Sequence, residues 1–184
     1  MKKIEVERKT RIVGEISLPG DKSISHRAIM LGGIGQGETR VTGFSDCLDC
    51  RNTLNAFLKL GIEIKEDSSG EMTIHGQGLR GLTSPNEIID VGNSGTTMRL
   101  LSGILAAQDF SSTLTGDESL RKRPMKRIIL PLREMGAKIS SPDDNHPPIT
   151  IIGQELRPID YISPIASAQV KSCILLAGLY ARGT

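Results

Sequence analysis

Hydrophobic positions along the chain follow two alternating rhythms. Leu54, Phe57, Leu58 and Leu60 are spaced as on one face of a helix, and Ile128, Ile129, Leu132 and Met135 repeat that spacing further on. Each helical run ends at a glycine, Gly61 or Gly136, where a left-handed C-cap is expected. A β-type run precedes each, over residues 39–44 and 112–115. After the first helix, "IEIKE" and "EMTIHG" read as two strands joined by a turn over 67–70. A further helix, rich in small and apolar residues, opens each set ("RAIMLGG" and "MRLLSGILAA").

The two sets are one motif written twice. Thr42-Gly43 recurs as Thr115-Gly116 after 73 residues, and Gly61 recurs as Gly136 after 75. The strand end Ile74-His75-Gly76 recurs as Ile151-Ile152-Gly153 after 77. The predicted fold is therefore mixed α/β (α+β), built from β-α-β-α-β-β units over about 19–85 and 86–158. A third unit starts at 159 with a strand and a first helix, "ISPIASAQVKSCILLAGLYARGT", and reaches residue 184 without its other elements. A unit stopping there leaves an apolar helix face and a sheet edge uncovered, so the chain is expected to be part of a longer protein.

Composition narrows the function classes. The 184 residues are 24% charged and 38% hydrophobic with a net charge of +2, an ordinary globular balance that requires neither a nucleic acid nor a membrane as partner. No Trp, two Tyr and three Phe leave little for base stacking. No apolar run approaches the ~20 residues that span a bilayer. The start, "MKKIEVERKT", has no apolar stretch after its charges and is not a signal peptide, so a cytoplasmic location is expected. Cys47 and Cys50 form a lone C-x-x-C with no second pair and no histidine at zinc spacing, and with Cys173 they read as reduced thiols. His26, His75 and His146 lie far apart, which gives a metal site no support.

The informative chemistry lies at three equivalent helix starts: "GDKSISHRA", "VGNSGTTMR" and "IASAQVKS". Each combines a small or hydroxyl residue with a nearby cation: Lys22 and Arg27, Arg99, or Lys171. Free N–H groups and the helix dipole favour phosphate or carboxylate there. Gly92 and Gly95 allow a close backbone approach, and Ser23, Ser94, Thr96 and Ser167 can add hydrogen bonds. Plain capping by Asp21, Asn93 or Ser167 accounts for any one start. Three in equivalent positions, all with cations, point to anion binding. The run "RKRPMKR" adds five basic residues between 121 and 127. Pro124 is expected to open the next helix, and Arg123 before it can make bidentate contacts to an oxyanion.

"LPGDKSISHRA", "GNSGTTMRLL", "RKRPM" and "SPIASAQVKS", in this order, closely resemble the 5-enolpyruvylshikimate-3-phosphate (EPSP) synthase family from about Ile16 to the end. The resemblance implies two domains of three βαβαββ units each, with the active site in the cleft between them. Residues 19–184 then form most of the first domain, and 1–18 supply a strand of the second, whose remainder is the chain's expected partner. It implies a transferase of the shikimate pathway to chorismate and the aromatic amino acids. That enzyme is monomeric and moves the enolpyruvyl group of phosphoenolpyruvate to the 5-hydroxyl of shikimate 3-phosphate, releasing phosphate without cofactor or metal. By position, Lys22 is the catalytic residue between the substrates. Lys22, Ser23, Arg27, Ser167, Ala168 and Gln169 bind shikimate 3-phosphate; Lys22, Gly95, Arg123 and Gln169 bind phosphoenolpyruvate, with Asn93 and Thr96 shaping that loop. Ala168 stands where some members have a serine and offers only its N–H. The acid–base carboxylates belong to the second domain, so this chain alone is expected not to turn over. The rivals are the sister transferase acting on UDP-N-acetylglucosamine, a non-catalytic phosphate-binding module, and an RNA-processing enzyme of similar fold. The scarcity of aromatics and the modest charge oppose the last.

Overall fold

The computed structural model describes residues 3–8 and 10–183. Its first unit comprises α1 (Lys22–Ile34), β1 (Gln36–Val41), α2 (Leu48–Lys59), β2 (Glu63–Glu66) and β3 (Met72–Gln77). The second comprises β4 (Ile89–Asp90), α3 (Gly95–Leu105), β5 (Ser111–Thr115), a single turn α4 (Glu118–Arg121), α5 (Lys126–Glu134), β6 (Lys138–Ser140) and β7 (Ile149–Ile152). Helix α6 (Ala168–Gly178) follows.

The repeat is visible in the strand pairing. An antiparallel sheet of order β1-β3-β2 matches the β5-β7-β6 portion of a second sheet, to which β4 adds a parallel edge. Thr39 faces Ile74 in the first sheet and Ser112 faces Ile151 in the second, so equivalent strands bury equivalent faces. Both helices ahead of the hairpins turn off as their sequences predict, with Gly61 at φ +85° and Gly136 at φ +102°.

Helix α3 is the centre of the core. Nearly all its residues are buried, and it packs on α6, α2, β5 and β7. A Cβ at Gly103 would fall 2.3 Å from the Cys173 carbonyl oxygen, so the α3 and α6 backbones meet there directly. Phe57, Leu60, Ile62, Met72 and Ile74 fill the first unit, and Ile128, Ile129, Leu132, Ile149 and Ile151 fill the second.

Residues 10–20 are mostly exposed and pair with no strand among the described residues; the strand expected over 1–18 belongs, in the sequence reading, to the second domain. Gly20 nevertheless rests against the Gly43 carbonyl, as Gly116 rests against that of Gly92, so the chain passes the same place without forming a ladder. The opening strand expected after residue 159 is likewise irregular. Residues 1, 2, 9 and 184, part of the expected N-terminal strand and third unit, lie outside the described residues. Strand β1 runs over 36–41 rather than 39–44, and Leu58 points outward on α2, 43% exposed. Helix α5 starts at Lys126, two residues beyond Pro124, with Met125 at its N-cap. The outer face of α6 is uncovered as expected: Leu175 and Leu179 are exposed, and Ile165 lines a hollow with Leu175. Among the described residues no helix is long and apolar enough to cross a membrane.

Candidate functional site

The starts of α1, α3 and α6 are held together by their own polar residues. Asp21 caps α1, accepting from the Ile24 N–H at 2.8 Å. Ser94 caps α3, accepting from the Thr97 N–H at 3.2 Å. Ser167 caps α6, accepting from the Val170 N–H at 3.4 Å. Asn93 therefore does not cap, contrary to the sequence reading. Its side-chain N–H donates to Asp117 (2.8 Å), and its carbonyl groups accept from both ends of the Arg123 guanidinium. Asp117 in turn caps α4 through the Leu120 N–H.

Long-range bonds join these starts. Arg27 on α1 donates to the Ser172 hydroxyl on α6 at 2.8 Å. Gln169, in the first turn of α6, accepts from Arg99 on α3 at 2.7 Å and donates to Thr96 at 3.0 Å. Lys22 forms an ion pair with Asp49 in the first turn of α2. That hydrogen bond, outweighing burial, holds the Lys22 ammonium above the usual lysine value, so it is charged at neutral pH.

The electrostatic centre is Arg99. The residue is 4% exposed, and the partners of its guanidinium are neutral: Gln169, the Gly95 carbonyl (3.4 Å) and the Pro124 carbonyl (3.2 Å). Burial, then the like charges of Arg127 and Arg123, push its pKa down to about 10. A Cβ at Gly95 would meet Arg99 at 2.7 Å and Arg123 at 3.4 Å, so the missing side chain is what lets two guanidinium groups pack against the start of α3. Clustered positive charge at a helix N-terminus is a seat for a multiply charged oxyanion.

Of the residues predicted from sequence, Gly95, Thr96, Asn93, Arg123 and Gln169 gather around this seat. Lys22 and Arg27 flank it through α2 and α6 respectively. Ser23 and Ala168 are exposed at their helix starts, and Ser167 and Ala168 line a separate, largely apolar hollow of about 770 Å³ beside α6. Sequence reasoning did not include Asp49, and it named Arg99 only as the cation near the α3 start. An arginine inside the apolar run "MRLLSGIL" was the available signal for Arg99; nothing local marks Asp49.

A buried chain of side chains underlies the seat. His26 Nδ1 lies 2.6 Å from the Thr53 hydroxyl, which lies 2.7 Å from that of Thr97, which donates to Ser94 at 2.6 Å. Burial, reinforced by the Lys22 and Arg27 charges and tempered by Asp49, pushes His26 down to about 4. An unfolded histidine charges near 6.5. As pH falls from there towards 4, the unfolded chain takes up a proton that folded His26 refuses, so stability is complete above this window and declines within it. Its contribution should be about 2 kcal/mol smaller at pH 5 than at pH 8. Urea unfolding at both values, with His26→Gln as the comparison, should show that part of the slope vanish.

Comparison with known proteins gives a consistent result. The EPSP synthase (3-phosphoshikimate 1-carboxyvinyltransferase) family model matches residues 6–184. The chain is 57% identical over 173 residues to 3-phosphoshikimate 1-carboxyvinyltransferase of Hydrogenovibrio crunogenus, covering 94% of this chain and 39% of that protein. It is 55% identical over 174 residues to the protein of the same name from Methylococcus capsulatus, with 94% and 40% covered. The solved structure of EPSP synthase from Acinetobacter baumannii superposes with a TM-score of 0.89 at 55% identity, over 92% of this chain and 39% of that one. The chain thus spans about two fifths of the length of the relatives it matches.

Proposed function

Since the chain belongs to the EPSP synthase family, we propose that it carries one wall of an enolpyruvyl transferase site, acting on shikimate 3-phosphate and phosphoenolpyruvate. The observation that carries this reading is the Arg99–Gly95–Arg123 arrangement: two guanidinium groups that have no carboxylate partner among the described residues, both packed against Gly95 at the start of α3. Phosphoenolpyruvate, with a phosphate and a carboxylate, is matched to such a seat. Arg123 and the Gly95 backbone hold it, with Gln169 fixed between Arg99 and Thr96. Shikimate 3-phosphate sits against the starts of α1 and α6, on Lys22, Ser23, Arg27, Ser167, the Ala168 N–H and Gln169.

Lys22 lies between the two. Its raised pKa suits it to stabilise negative charge rather than to give up a proton. In the reaction, the enol carbon gains a proton and the 5-hydroxyl oxygen attacks C2 while losing its own. Phosphate then leaves the resulting ketal as the carbon-bound proton is removed. This chain binds and orients; carboxylates for the proton transfers belong to the C-terminal domain of the whole enzyme. Three free thiols suit a cytoplasmic enzyme.

The test is a titration of the protein with shikimate 3-phosphate, UDP-N-acetylglucosamine and inorganic phosphate, followed by amide NMR. Saturable shifts should appear at the α1 and α6 starts with shikimate 3-phosphate, at concentrations where the UDP-sugar has no effect. A preference for the UDP-sugar, or an equal response to all three, overturns the assignment.

A further inference from the structure

The C-x-x-C at Cys47 and Cys50 takes no part in the anion seat, and the fold gives it a defined setting. Cys47 is the N-cap residue of the twelve-residue helix α2, and Cys50 lies within the helix's first turn. Cys47 is partly exposed, whereas Cys50 and Cys173 are buried. The Cys50 thiol reaches the Lys22 carbonyl oxygen at 3.4 Å and is also within hydrogen-bonding range of the Cys47 sulfur. Residues three apart across a helical turn are neighbours, and the Cys50 N–H donates to the Cys47 carbonyl at 2.9 Å, which closes that turn. A disulfide, with Cα atoms ~4.4–6.8 Å apart, needs rotation of the two side chains and little backbone movement.

We propose that Cys47 and Cys50 form a reversible dithiol–disulfide couple, in which Cys47 meets a small-molecule disulfide first and Cys50 resolves the product. The two thiols differ as these roles require. Burial raises Cys47, but the Cys50 N–H, the Ser45 hydroxyl, the Cys50 thiol and the Lys22 charge outweigh it and hold the thiol below its ordinary value. Burial, with the neighbouring Cys47 sulfur, pushes Cys50 up to about 12. The helix dipole also favours a thiolate at the N-cap.

The chemistry balances with glutathione disulfide as oxidant. The Cys47 thiolate attacks one glutathione sulfur, the glutathione S–S bond breaks, and a first glutathione thiolate leaves. Neutralising the Cys47 sulfur removes one of the causes that raise Cys50. The Cys50 thiol then loses its proton and attacks the Cys47 sulfur, and the second glutathione thiolate leaves. Two protein thiols become one disulfide, one glutathione disulfide becomes two glutathiones, and the two protons released from the cysteines end on them. The Cys50–Lys22 hydrogen bond is lost in the oxidised form, at the backbone that carries the anion-binding lysine.

The test exposes the purified protein to glutathione disulfide near neutral pH, quenches it in acid, and maps the thiols by mass spectrometry after alkylation. The wild type should end with a Cys47–Cys50 disulfide, no bound glutathione, and Cys173 free, and dithiothreitol should restore both thiols. Cys50→Ala should stall with glutathione on Cys47. In the reduced protein, iodoacetamide should alkylate Cys47 at least about 10-fold faster than either other cysteine. A wild type that keeps glutathione on Cys47 as stably as Cys50→Ala does, or fails to react at Cys47, overturns the proposal. So does a Cys173 that reacts as fast as Cys47. The wild-type result stands without the variant, so misfolding of Cys50→Ala does not decide the question.

Discussion

Lys22→Ala should lower kcat/KM of the intact enzyme by about 100- to 10,000-fold while leaving the fold almost untouched. In the proposed site the ammonium sits between two anionic substrates, and a hydrogen bond from a charged donor contributes ~1.5–3 kcal/mol. Losing one to each substrate removes about 3–6 kcal/mol of transition-state stabilisation, or two to four decades of rate. The variant also leaves Asp49, the partner of Lys22, as an uncompensated carboxylate beside the anions. Stability responds differently because the Lys22 side chain is 51% exposed, and exposed ion pairs contribute ~0–1 kcal/mol. The melting midpoint should therefore move by no more than about 2–4 °C. Asp49→Asn separates the two roles: it keeps the cation and removes the competing carboxylate, so kcat/KM should stay within about 10-fold of wild type. Steady-state kinetics and thermal melts of both variants check this. A Lys22→Ala enzyme with wild-type kcat/KM would place the seat elsewhere.

What could be read from the sequence is what each segment carries within itself. The helix spacing of Ile128, Ile129, Leu132 and Met135, the stops at Gly61 and Gly136, and the caps Asp21 and Ser167 are local physics, and all of them appear in the structure. The repeat was legible because two copies solve the same packing problem with residues at matching offsets. The missed features are relational. A strand is expected after residue 159, but a strand is a pairing, and residues 159–167 find no strand partner among the described residues. Asn93 is a good cap by type, yet it lies one residue ahead of the true cap, where Asp117 and Arg123 engage its side chain. Arg99 becomes the centre of the seat only because α6 brings Gln169 to it from 70 residues away. Asp49 meets Lys22 across 27 residues.

That dependence on α6 makes Gly103 the position where a small substitution should do the most structural damage. In an open helix, Gly→Ala stabilises by up to about 1 kcal/mol, because alanine restricts the unfolded chain. Gly178 in α6 is such a place, since a Cβ there would meet nothing within 4 Å. At Gly103 the same methyl group would lie 2.3 Å from the Cys173 carbonyl oxygen and 3.4 Å from the Ala177 nitrogen, both of them backbone atoms that no rotamer change can move. Helices α3 and α6 must then separate, losing contacts along an interface that buries Val170, Cys173 and Ala177. Gly103→Ala should lose about 2 kcal/mol, and Gly103→Val, with two more methyl groups in the same space, 3 kcal/mol or more. For a chain of this size 3 kcal/mol corresponds to a drop of about 6–12 °C in the melting midpoint. Separation also pulls Gln169 from Arg99 and Ser172 from Arg27, so affinity for inorganic phosphate should fall with stability in Gly103→Ala and stay unchanged in Gly178→Ala. Thermal melts and phosphate titrations of the two alanine variants decide the matter. If both glycines respond alike, the α3–α6 contact does not hold the seat together.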